Sequence, residues 1–370
     1  MARMFAGFLI VLTLAACETR GRVIIVPDAT KTAGTETVFV GSTRGMDPET
    51  GVEFGYQRSP STRYARLDVA IPPDRVPGEI HWTAPNRQPD LNTDFVATNK
   101  VVYSGSADFR SDLATALARE KRDQREVVLF VHGFNNTFAE GAYRLAQLGH
   151  DLDLNGVLVN YAWPSRGHPL GYAYDRDSAL FARDGLEDLL DEVIAAGAER
   201  VLIVSHSLGS ALVMETLRQI AIGGNDRVRK RIGGVVLISP DIDVDVFRAQ
   251  AARIGKLPEP FLIFTSKKDR ILALSARLTG QRDRLGNLTD VEEIANLDVT
   301  LLDTTAFSQG VGHFNPGNSP ALLVLLSRIT DVDTALAAGR TGRPGLLPGV
   351  ALTVQNATQI VLSPVTGLQP

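Results

Sequence analysis

Cysteine is almost missing from this sequence: one occurs among 370 residues, at position 17. Without a second cysteine the chain forms no intramolecular disulfide and holds no metal in a cysteine cluster, so its stability must come from an apolar core. A strong net charge is missing as well, because the formal value is only −4, and nothing therefore points to a nucleic-acid partner. Hydrophobic residues make up 44% of the chain, which permits one large α/β domain or one domain with extensions.

The single cysteine follows a segment that is typical of an export signal. Arg3 supplies a positive start, and the apolar stretch 5–16 is too short to span a bilayer. This stretch ends in Leu14-Ala15-Ala16-Cys17, which resembles the bacterial lipoprotein box. The resemblance implies that residues 1–16 are removed as a signal peptide and that Cys17 carries lipid. A plain secretory signal with an accidental cysteine is the alternative.

Lipid on Cys17 would anchor the protein in the bacterial cell envelope, since several acyl chains together hold a protein stably at a membrane. Glu18 is not the aspartate that, by analogy with enteric bacteria, retains lipoproteins at the inner membrane. We therefore expect the outer membrane, facing the periplasm, with residues 17–35 as a polar tether.

The pattern beyond the tether divides the chain into three parts. Residues 36–125 form a leading part that is mostly β, residues 126–330 a core of alternating strands and helices, and residues 331–370 a weakly ordered tail in which 350–362 could make a strand or hairpin. The alternation predicts an α/β fold with a mainly parallel, doubly wound sheet and helices on both faces. The predicted strands cover 37–42, 66–71, 78–82, 127–131, 155–161, 201–204, 234–238, 260–265 and 298–302. The predicted helices cover 109–122, 137–148, 177–196, 210–222, 244–254 and 319–330.

A turn of small residues joins an apolar strand to an amphipathic helix at Ser205-His206-Ser207-Leu208-Gly209. This stretch is a close variant of the Gly-x-Ser-x-Gly nucleophile elbow, with Ser205 in place of the first glycine. Such a turn is sharp enough to lift the hydroxyl of the central serine, Ser207, above the sheet. An ordinary strand-to-helix junction that happens to contain serine and glycine is the alternative.

A nucleophilic serine needs a base that takes its proton and a carboxylate that orients the base. In doubly wound hydrolases the carboxylate and then the histidine follow the serine along the chain, on loops at the carboxyl ends of strands. Asp269 follows the strand predicted at 260–265, and His313 lies in a glycine-rich loop after the last predicted strand of the core. We therefore assign Ser207, Asp269 and His313 as a triad. Asp241 and Asp243, after the preceding strand, are rivals for the acid.

Two backbone amides are expected to bind the oxyanion that develops on the substrate. One belongs to Leu208, directly after the nucleophile, and the other to Phe134, in the loop His132-Gly133-Phe134-Asn135 after the strand at 127–131. Trp163, after the strand at 155–161, lies either in a substrate pocket or in the core, and the sequence does not choose between them. Tyr174 and Asp175 are expected to anchor the loop after Trp163.

Several motifs occur in order along the chain: Phe39-Val40-Gly41-Ser42-Thr43-Arg44, His132-Gly133-Phe134-Asn135, Tyr161-Ala162-Trp163-Pro164-Ser165-Arg166-Gly167, Ser205-His206-Ser207-Leu208-Gly209, Ser239-Pro240-Asp241-Ile242-Asp243, Ser266-Lys267-Lys268-Asp269 and Arg284-Leu285-Gly286. With them the chain resembles, from about residue 38 to 330, a bacterial family of uncharacterised esterase/lipase-like α/β hydrolases. The resemblance implies an α/β-hydrolase domain over 36–330 and the same triad. The sequence departs from the family at Phe134, where tyrosine is common, and at Phe314, where a small residue is common.

These features predict a serine hydrolase that cleaves carboxylic esters through an acyl-enzyme, with no metal or other cofactor. The absence of a long apolar insertion between 238 and 260 argues against a lipase-type lid and favours short or medium acyl chains. An amidase, peptidase or acyltransferase would use the same triad. A non-catalytic envelope lipoprotein that binds lipid or a partner through this fold is the alternative from another class. The expected partners are an ester or lipid substrate and, through Cys17, a membrane.

Overall fold

The computed structural model describes residues 19–29, 32–280, 283–288, 290–308, 312–320, 322–323 and 349–362. Its strands are β1 (Gly34–Arg44), β2 (Arg58–Ile71), β3 (Val96–Val102), β4 (Glu126–Val131), β5 (Val157–Ala162), β6 (Arg200–His206), β7 (Ile232–Ile238), β8 (Phe261–Thr265), β9 (Thr300–Asp303), β10 (Gly349–Val354) and β11 (Ala357–Leu362). Its helices are α1 (Ser106–Leu117), α2 (Phe138–Leu152), α3 (Tyr172–Phe181), α4 (Arg183–Ala195), α5 (Leu208–Gly223), α6 (Asp226–Arg229), α7 (Val244–Ile254), α8 (Arg270–Leu278) and α9 (Asn315–Asn318). The predicted signal peptide with Cys17, and most of the predicted helix 319–330, lie outside the described residues.

All eleven strands of the described ranges belong to one sheet, in the order β10-β11-β9-β8-β7-β6-β4-β5-β1-β2-β3. From β11 across to β1 every neighbouring pair of strands is parallel. Antiparallel pairing is confined to the two edges, where β10 pairs with β11 and where β1, β2 and β3 follow one another. The predicted α/β class with a mainly parallel sheet is confirmed.

Helices cover both faces of this sheet, because alternate side chains of β4 are buried in apolar layers on opposite faces. Val127, Leu129 and Val131 pack into one apolar layer, which also contains residues of α1, α4, α5 and α7. Val128 and Phe130 pack into the opposite layer, against α2. A strand that is buried on both faces is a near-continuous apolar run, which is the pattern of 127–131 in the sequence. None of the helices in the described part of the chain is long and apolar enough to cross a bilayer.

The carboxyl ends of the central strands are level with one another. Val131 in β4 pairs with Ser205 in β6, and Ile238 in β7 pairs with both His206 in β6 and Phe264 in β8. The chain runs from β4 to β5 on one side and returns to β6 on the other side of β4, so the strand order reverses there. Ligands of open α/β sheets bind at such a switch point, outside the carboxyl ends of the strands.

Several helix and strand boundaries differ from the predictions. The helix predicted at 177–196 is two helices that meet at Ala182, whose carbonyl accepts a hydrogen bond of 2.6 Å from the Tyr161 hydroxyl and another of 3.1 Å from Leu186 N. The segment 78–82 is not a strand and makes one isolated bridge, between His81 and Asp94. Helix α8 was not predicted. Within the predicted tail, residues 349–362 form a hairpin, which is one of the two possibilities predicted for 350–362, and this hairpin extends the sheet where β11 pairs with β9.

Candidate active site

Ser207 occupies a strained backbone conformation between β6 and α5. Its φ of 52° and ψ of −124° lie in a region that residues other than glycine rarely adopt, as expected of a nucleophile elbow. Two hydrogen bonds to the neighbouring strand and its loop hold this turn, from Ser207 N to Ile238 O (2.9 Å) and from Asp241 N to Ser207 O (3.2 Å). The predicted turn is therefore present, and hydrogen bonds with the end of β7 and the loop after it hold Ser207 in its strained conformation.

The small residues around Ser207 are required by close packing. A Cβ on Gly209 would lie 2.3 Å from the carbonyl oxygen of His132, so only glycine lets α5 approach the loop after β4. At the other small position the hydroxyl of Ser205 is buried and donates to Ser210 Oγ at 3.0 Å. Serine therefore fits where the usual motif has glycine, because its one polar atom finds a partner inside the turn.

His313 and Asp269 meet as predicted, although they are 44 residues apart. The Nδ1 atom of His313 lies 2.8 Å from Oδ2 of Asp269. The Asp269 side chain is fully buried, whereas that of His313 is 14% exposed. The second carboxylate oxygen of Asp269 accepts a hydrogen bond of 2.9 Å from Leu272 N and caps α8. The cap fixes the carboxylate in the orientation in which it receives the imidazole.

The nucleophile lies beside this pair without a direct bond to it. Among the described residues the Ser207 hydroxyl makes no hydrogen bond with the His313 ring. The residue before the nucleophile connects them, because the rings of His206 and His313 are 4.7 Å apart and His206 Nε2 lies 3.3 Å from His313 O. Hydrogen bonds of catalytic groups are often long in the free enzyme and tighten when substrate binds.

Two histidines near the site, the buried His132 and the partly buried His206, are held in the neutral form. Burial lowers the pKa of His206 well below its usual value, and the neighbouring His313 adds to this effect. Burial also lowers the pKa of His132 to about 3, with a contribution from the Arg44 guanidinium. A neutral His206 adds no positive charge beside His313.

The amides of Phe134 and Leu208 are available for an oxyanion. Neither donates a hydrogen bond to any acceptor among the described residues. Leu208 is the first residue of α5, where amides point out of the helix and the helix dipole favours negative charge. The peptide that contains the Phe134 amide is oriented by its carbonyl, Gly133 O, which accepts a hydrogen bond of 3.3 Å from Asn136 Nδ2. Gly133 lies against Ser207, since a Cβ there would be 3.0 Å from Ser207 Cβ.

A buried network that was only partly predicted holds the Phe134 loop. Asp175, expected to anchor the loop after Trp163, accepts hydrogen bonds from Arg166 N (2.7 Å), Asn135 N (3.1 Å) and Ser165 Oγ (2.6 Å). Burial raises the pKa of its carboxyl group, and these donors oppose that rise. Asp175 therefore anchors the Phe134 loop as well as its own.

Arg44, a site residue that the sequence analysis did not identify, holds the other side of this loop. It is 2% exposed and donates to Asn136 O (2.7 Å), Ser165 O (3.0 Å) and Gly55 O (3.0 Å). Burial lowers the pKa of its guanidinium to about 10. The only sequence signals for Arg44 and Ser165 were the motifs in which they occur.

Trp163 is in the core, which is the second of the two predicted alternatives. Its side chain is fully buried, its Nε1 atom donates to His132 O at 2.7 Å, and its ring stacks on the His132 ring at 5.0 Å. The tryptophan therefore packs, from the core side, against the loop that carries Phe134, and it does not face a pocket.

The rival acids have other partners. Asp241 lies 3.2 Å from Arg284 Nε and accepts hydrogen bonds from Tyr172 (2.7 Å) and from Ser275 (2.8 and 3.0 Å). Asp243 caps α7 through Val246 N. Asp269 is therefore the aspartate of these three that faces His313. Arg284 was another site residue marked only by its motif.

A cavity of about 480 Å³ lies far from these residues along the strands. It is lined by residues at the amino ends of β1 and β5, such as Glu36 and Val157, and by charged residues of β2 and α1, such as Arg66 and Asp112. Since Ser207 and Asp269 follow the carboxyl ends of their strands, this cavity is not part of the same site.

The family model described as "Alpha/beta hydrolase of unknown function (DUF900)" matches residues 106–328. This is more than half of the chain, and it includes Ser207, Asp269 and His313. The comparison with curated proteins gives no match.

Solved structures similar to this chain include lipase B of Aspergillus fumigatus, at 14% identity and a TM-score of 0.39, over 64% of this chain and 58% of that one. The esterase Pf2001 of Pyrococcus furiosus is similar at 15% identity and a TM-score of 0.29, over 50% and 75% of the two chains. EstE1, a thermostable carboxylesterase cloned from a metagenomic library, is similar at 12% identity and a TM-score of 0.33, over 80% and 87%. This chain thus spans less than two thirds of the length of lipase B, and its assignment rests on the family model.

Proposed function

This chain belongs to the family of alpha/beta hydrolases of unknown function called DUF900, and from that membership we propose that it is a serine hydrolase of carboxylic esters with short or medium acyl chains. The observation that carries the proposal is the 2.8 Å contact between His313 and the buried Asp269, with the His313 ring 4.7 Å from that of His206, the residue before the strained Ser207. Because Nδ1 of His313 faces the carboxylate, Nε2 is left as the basic nitrogen, which is the tautomer that a general base requires.

In the proposed reaction, Ser207 Oγ attacks the ester carbonyl carbon and His313 Nε2 takes the hydroxyl proton. The carbonyl oxygen, now negative, accepts hydrogen bonds from the amides of Phe134 and Leu208. When the intermediate collapses, the alkoxide leaves as an alcohol with the proton from His313, and the acyl group stays on Ser207. Water then attacks with the same proton transfers, which releases the carboxylic acid and restores the serine.

The connection between β7 and β8 supports the proposed acyl length. It contains α7 and two short loops, all within the described residues, and no apolar insertion of the kind that forms a lipase lid. An open site without a lid suits short and medium esters better than emulsified fat. Rates that climbed steeply with acyl length, and only at a lipid interface, would contradict this part of the proposal.

Active-site labelling tests the proposal. The full chain in detergent is treated with a fluorophosphonate probe, beside Ser207→Ala, His313→Ala and, as a matched control, His81→Ala, whose side chain is 50% exposed. We expect the parent and the His81 variant to be labelled and the other two not. A folded parent that reacts with neither this probe nor p-nitrophenyl acetate would contradict the proposal and favour a non-catalytic binding scaffold.

We also propose, from the sequence alone, that Cys17 carries the lipid that attaches the protein to the outer membrane, facing the periplasm. Metabolic labelling with radioactive palmitate, compared between the parent and Cys17→Ser in membrane fractions, tests it. Incorporation that persists in the Cys17→Ser protein would contradict it.

A further inference from the structure

Arg20 and Gly21, which follow Cys17 by three and four residues, pack against the loop that carries Phe134. Arg20 donates to Asn135 O (2.8 Å) and to Asn135 Oδ1 (3.1 Å), and forms an ion pair of 2.6 Å with Glu140. These partners are at least 115 positions away in the sequence, and Arg20 lies outside the range matched by the family model.

The backbone at Gly21 docks on the same structure. Gly21 N donates to Glu140 Oε1 at 2.8 Å, and Gly21 O accepts from Thr137 Oγ1 at 2.9 Å. A Cβ on Gly21 would lie 2.6 Å from Glu140 Cγ and 2.8 Å from the Trp82 ring. The contact is thus closely packed around the first turn of α2, whose capping box is formed by Thr137 and Glu140.

The backbone of Asn135 needs the support that these contacts give. Its φ of 59° is unfavourable for a residue other than glycine, so the conformation persists only if its surroundings hold it. Asp175 holds the Asn135 amide, while Arg20 holds its carbonyl and side chain. On the next carbonyl, Asn136 O, Arg44 makes the equivalent contact at 2.7 Å. Two arginines therefore fix two consecutive carbonyls of the loop that presents the Phe134 amide.

We propose that Arg20 is a positioning residue for the oxyanion hole: its grip on Asn135 keeps the neighbouring Phe134 amide aimed at the substrate oxygen. The inference rests on the proposed serine-hydrolase function and adds to it a residue that does not touch the substrate. Since Arg20 follows Cys17 by three residues, a lipid on Cys17 would lie within about 11 Å of extended chain from this contact.

The test compares Arg20→Ala with Arg20→Lys and with Arg22→Ala in the full chain. Arg22 is exposed, two residues away, and makes no side-chain hydrogen bond or ion pair with a described residue, so it is a matched control. We expect Arg20→Ala to lower kcat about 10- to 100-fold with little change in KM, since a misdirected oxyanion donor costs on this scale. Lysine keeps the charge but loses the forked contact, so Arg20→Lys should fall between. Arg22→Ala should match the parent.

A second readout separates positioning from general damage to the fold. A thionoester carries sulfur in place of the carbonyl oxygen and uses the oxyanion hole poorly, so the parent should prefer the oxygen ester. That preference, measured as a ratio of kcat/KM, should shrink in Arg20→Ala and not in Arg22→Ala. If Arg20→Ala kept the kcat and the ester preference of the parent, the inference about Arg20 would be overturned. The proposed function would still stand in that case, provided that Ser207→Ala is inactive. If Arg20→Ala lost activity but kept the ester preference of the parent, the inference about Arg20 would also be overturned. A parent without esterase activity would overturn both this inference and the proposed function.

Discussion

Two neighbouring strands end in loops that each bury an aspartate, and the two aspartates have different partners. After β7, Asp241 lies against the guanidinium of Arg284, a group that only donates hydrogen bonds. After β8, Asp269 lies against the imidazole of His313, a ring that can serve as a general base. Both carboxylates sit at the same edge of the sheet with side chains no more than 3% exposed. The comparison indicates that the partner, more than the position, makes one aspartate a structural group and the other a candidate catalytic group.

The largest expected effect is that of Asp269→Asn. Asparagine caps a helix about as well as aspartate, so α8 should persist and the free energy of unfolding should change little. The amide can donate to Nδ1 of His313 and hold the wrong tautomer, for which the Ser-His-Asp template gives a loss of about 10⁴-fold in kcat. Steady-state ester hydrolysis and thermal unfolding check both statements.

Asp243→Asn is the matched control for this variant, because Asp243 caps α7 in the same way and has no histidine partner among the described residues. Its kcat should equal that of the parent. If Asp269→Asn retained the activity of Asp243→Asn, the assignment of the acid would be wrong and Asp241 would become the remaining rival.

Asp241→Asn should act on stability. It breaks the ion pair between Asp241 and Arg284, whose side chains are 3% and 7% exposed, and breaking a buried ion pair costs about 3–5 kcal/mol. Urea unfolding of the parent and the variant measures this cost. The kcat of the molecules that remain folded should fall far less than in Asp269→Asn.

The double variant Asp241→Asn with Arg284→Met separates the pair from its surroundings. Removing both charges restores part of the lost stability if the loss comes from breaking the ion pair between Asp241 and Arg284. If the losses of unfolding free energy in the two single variants simply added in the double variant, Asp241 and Arg284 would act independently. The difference between Asp241 and Asp269 could then not be attributed to their partners.

His132 extends the comparison to a buried histidine without a carboxylate partner among the described residues. Its pKa is lowered to about 3, so the unfolded chain binds a proton at His132 below pH 6.5 while the folded protein does not. Folding stability is then complete above pH 6.5 and falls as the pH decreases below it, by about 1.4 kcal/mol per pH unit for this residue. Buried carboxyls with raised pKa values, such as Asp175, act with the opposite sign at lower pH.

Urea unfolding at pH 7.5 and 5.5 tests this linkage. The stability lost between these values should be about 1.4 kcal/mol smaller in His132→Asn than in the parent, whatever the variant does at pH 7.5. The exposed His81, changed to asparagine, should leave the loss unchanged. An equal loss in parent and His132→Asn would show that His132 is protonated in the folded protein.

The aspartates also mark how far the sequence leads. The order of serine, aspartate and histidine was visible because each follows an apolar run, and the loops of parallel strands meet at one edge. The choice between Asp241 and Asp269 depends on the partner that each carboxylate meets. Arg284 and His313 come 43 and 44 positions later in the chain, so sequence order alone does not separate the two pairs.

Contacts between distant backbone groups explain the other differences. Arg20 and Arg44 bind carbonyl oxygens of Asn135 and Asn136, and a carbonyl has no side-chain signature in the sequence. At Ala182, where the predicted helix is divided, the hydroxyl of Tyr161 in β5 likewise reaches a backbone carbonyl. A strand or hairpin at 350–362 was predicted from the sequence, but its pairing with β9 was not, because that pairing is non-local.

The smallest expected effect comes from Tyr172→Phe, which removes one of several donors to Asp241. The hydroxyl donates to Asp241 Oδ2 at 2.7 Å, and burial raises the pKa of this tyrosine to about 12, so it stays a donor at neutral pH. Arg284 and Ser275 continue to pair the carboxylate, so the loss should be about 1 kcal/mol of unfolding free energy, with kcat nearly unchanged. Since Tyr172 also packs edge to face on Phe134 at 5.4 Å, and phenylalanine keeps that ring, a fall in kcat would instead connect the Asp241 network to the oxyanion loop. In that case the loop after β7 would take part in catalysis through Phe134, and the contrast between the two aspartates would be one of degree.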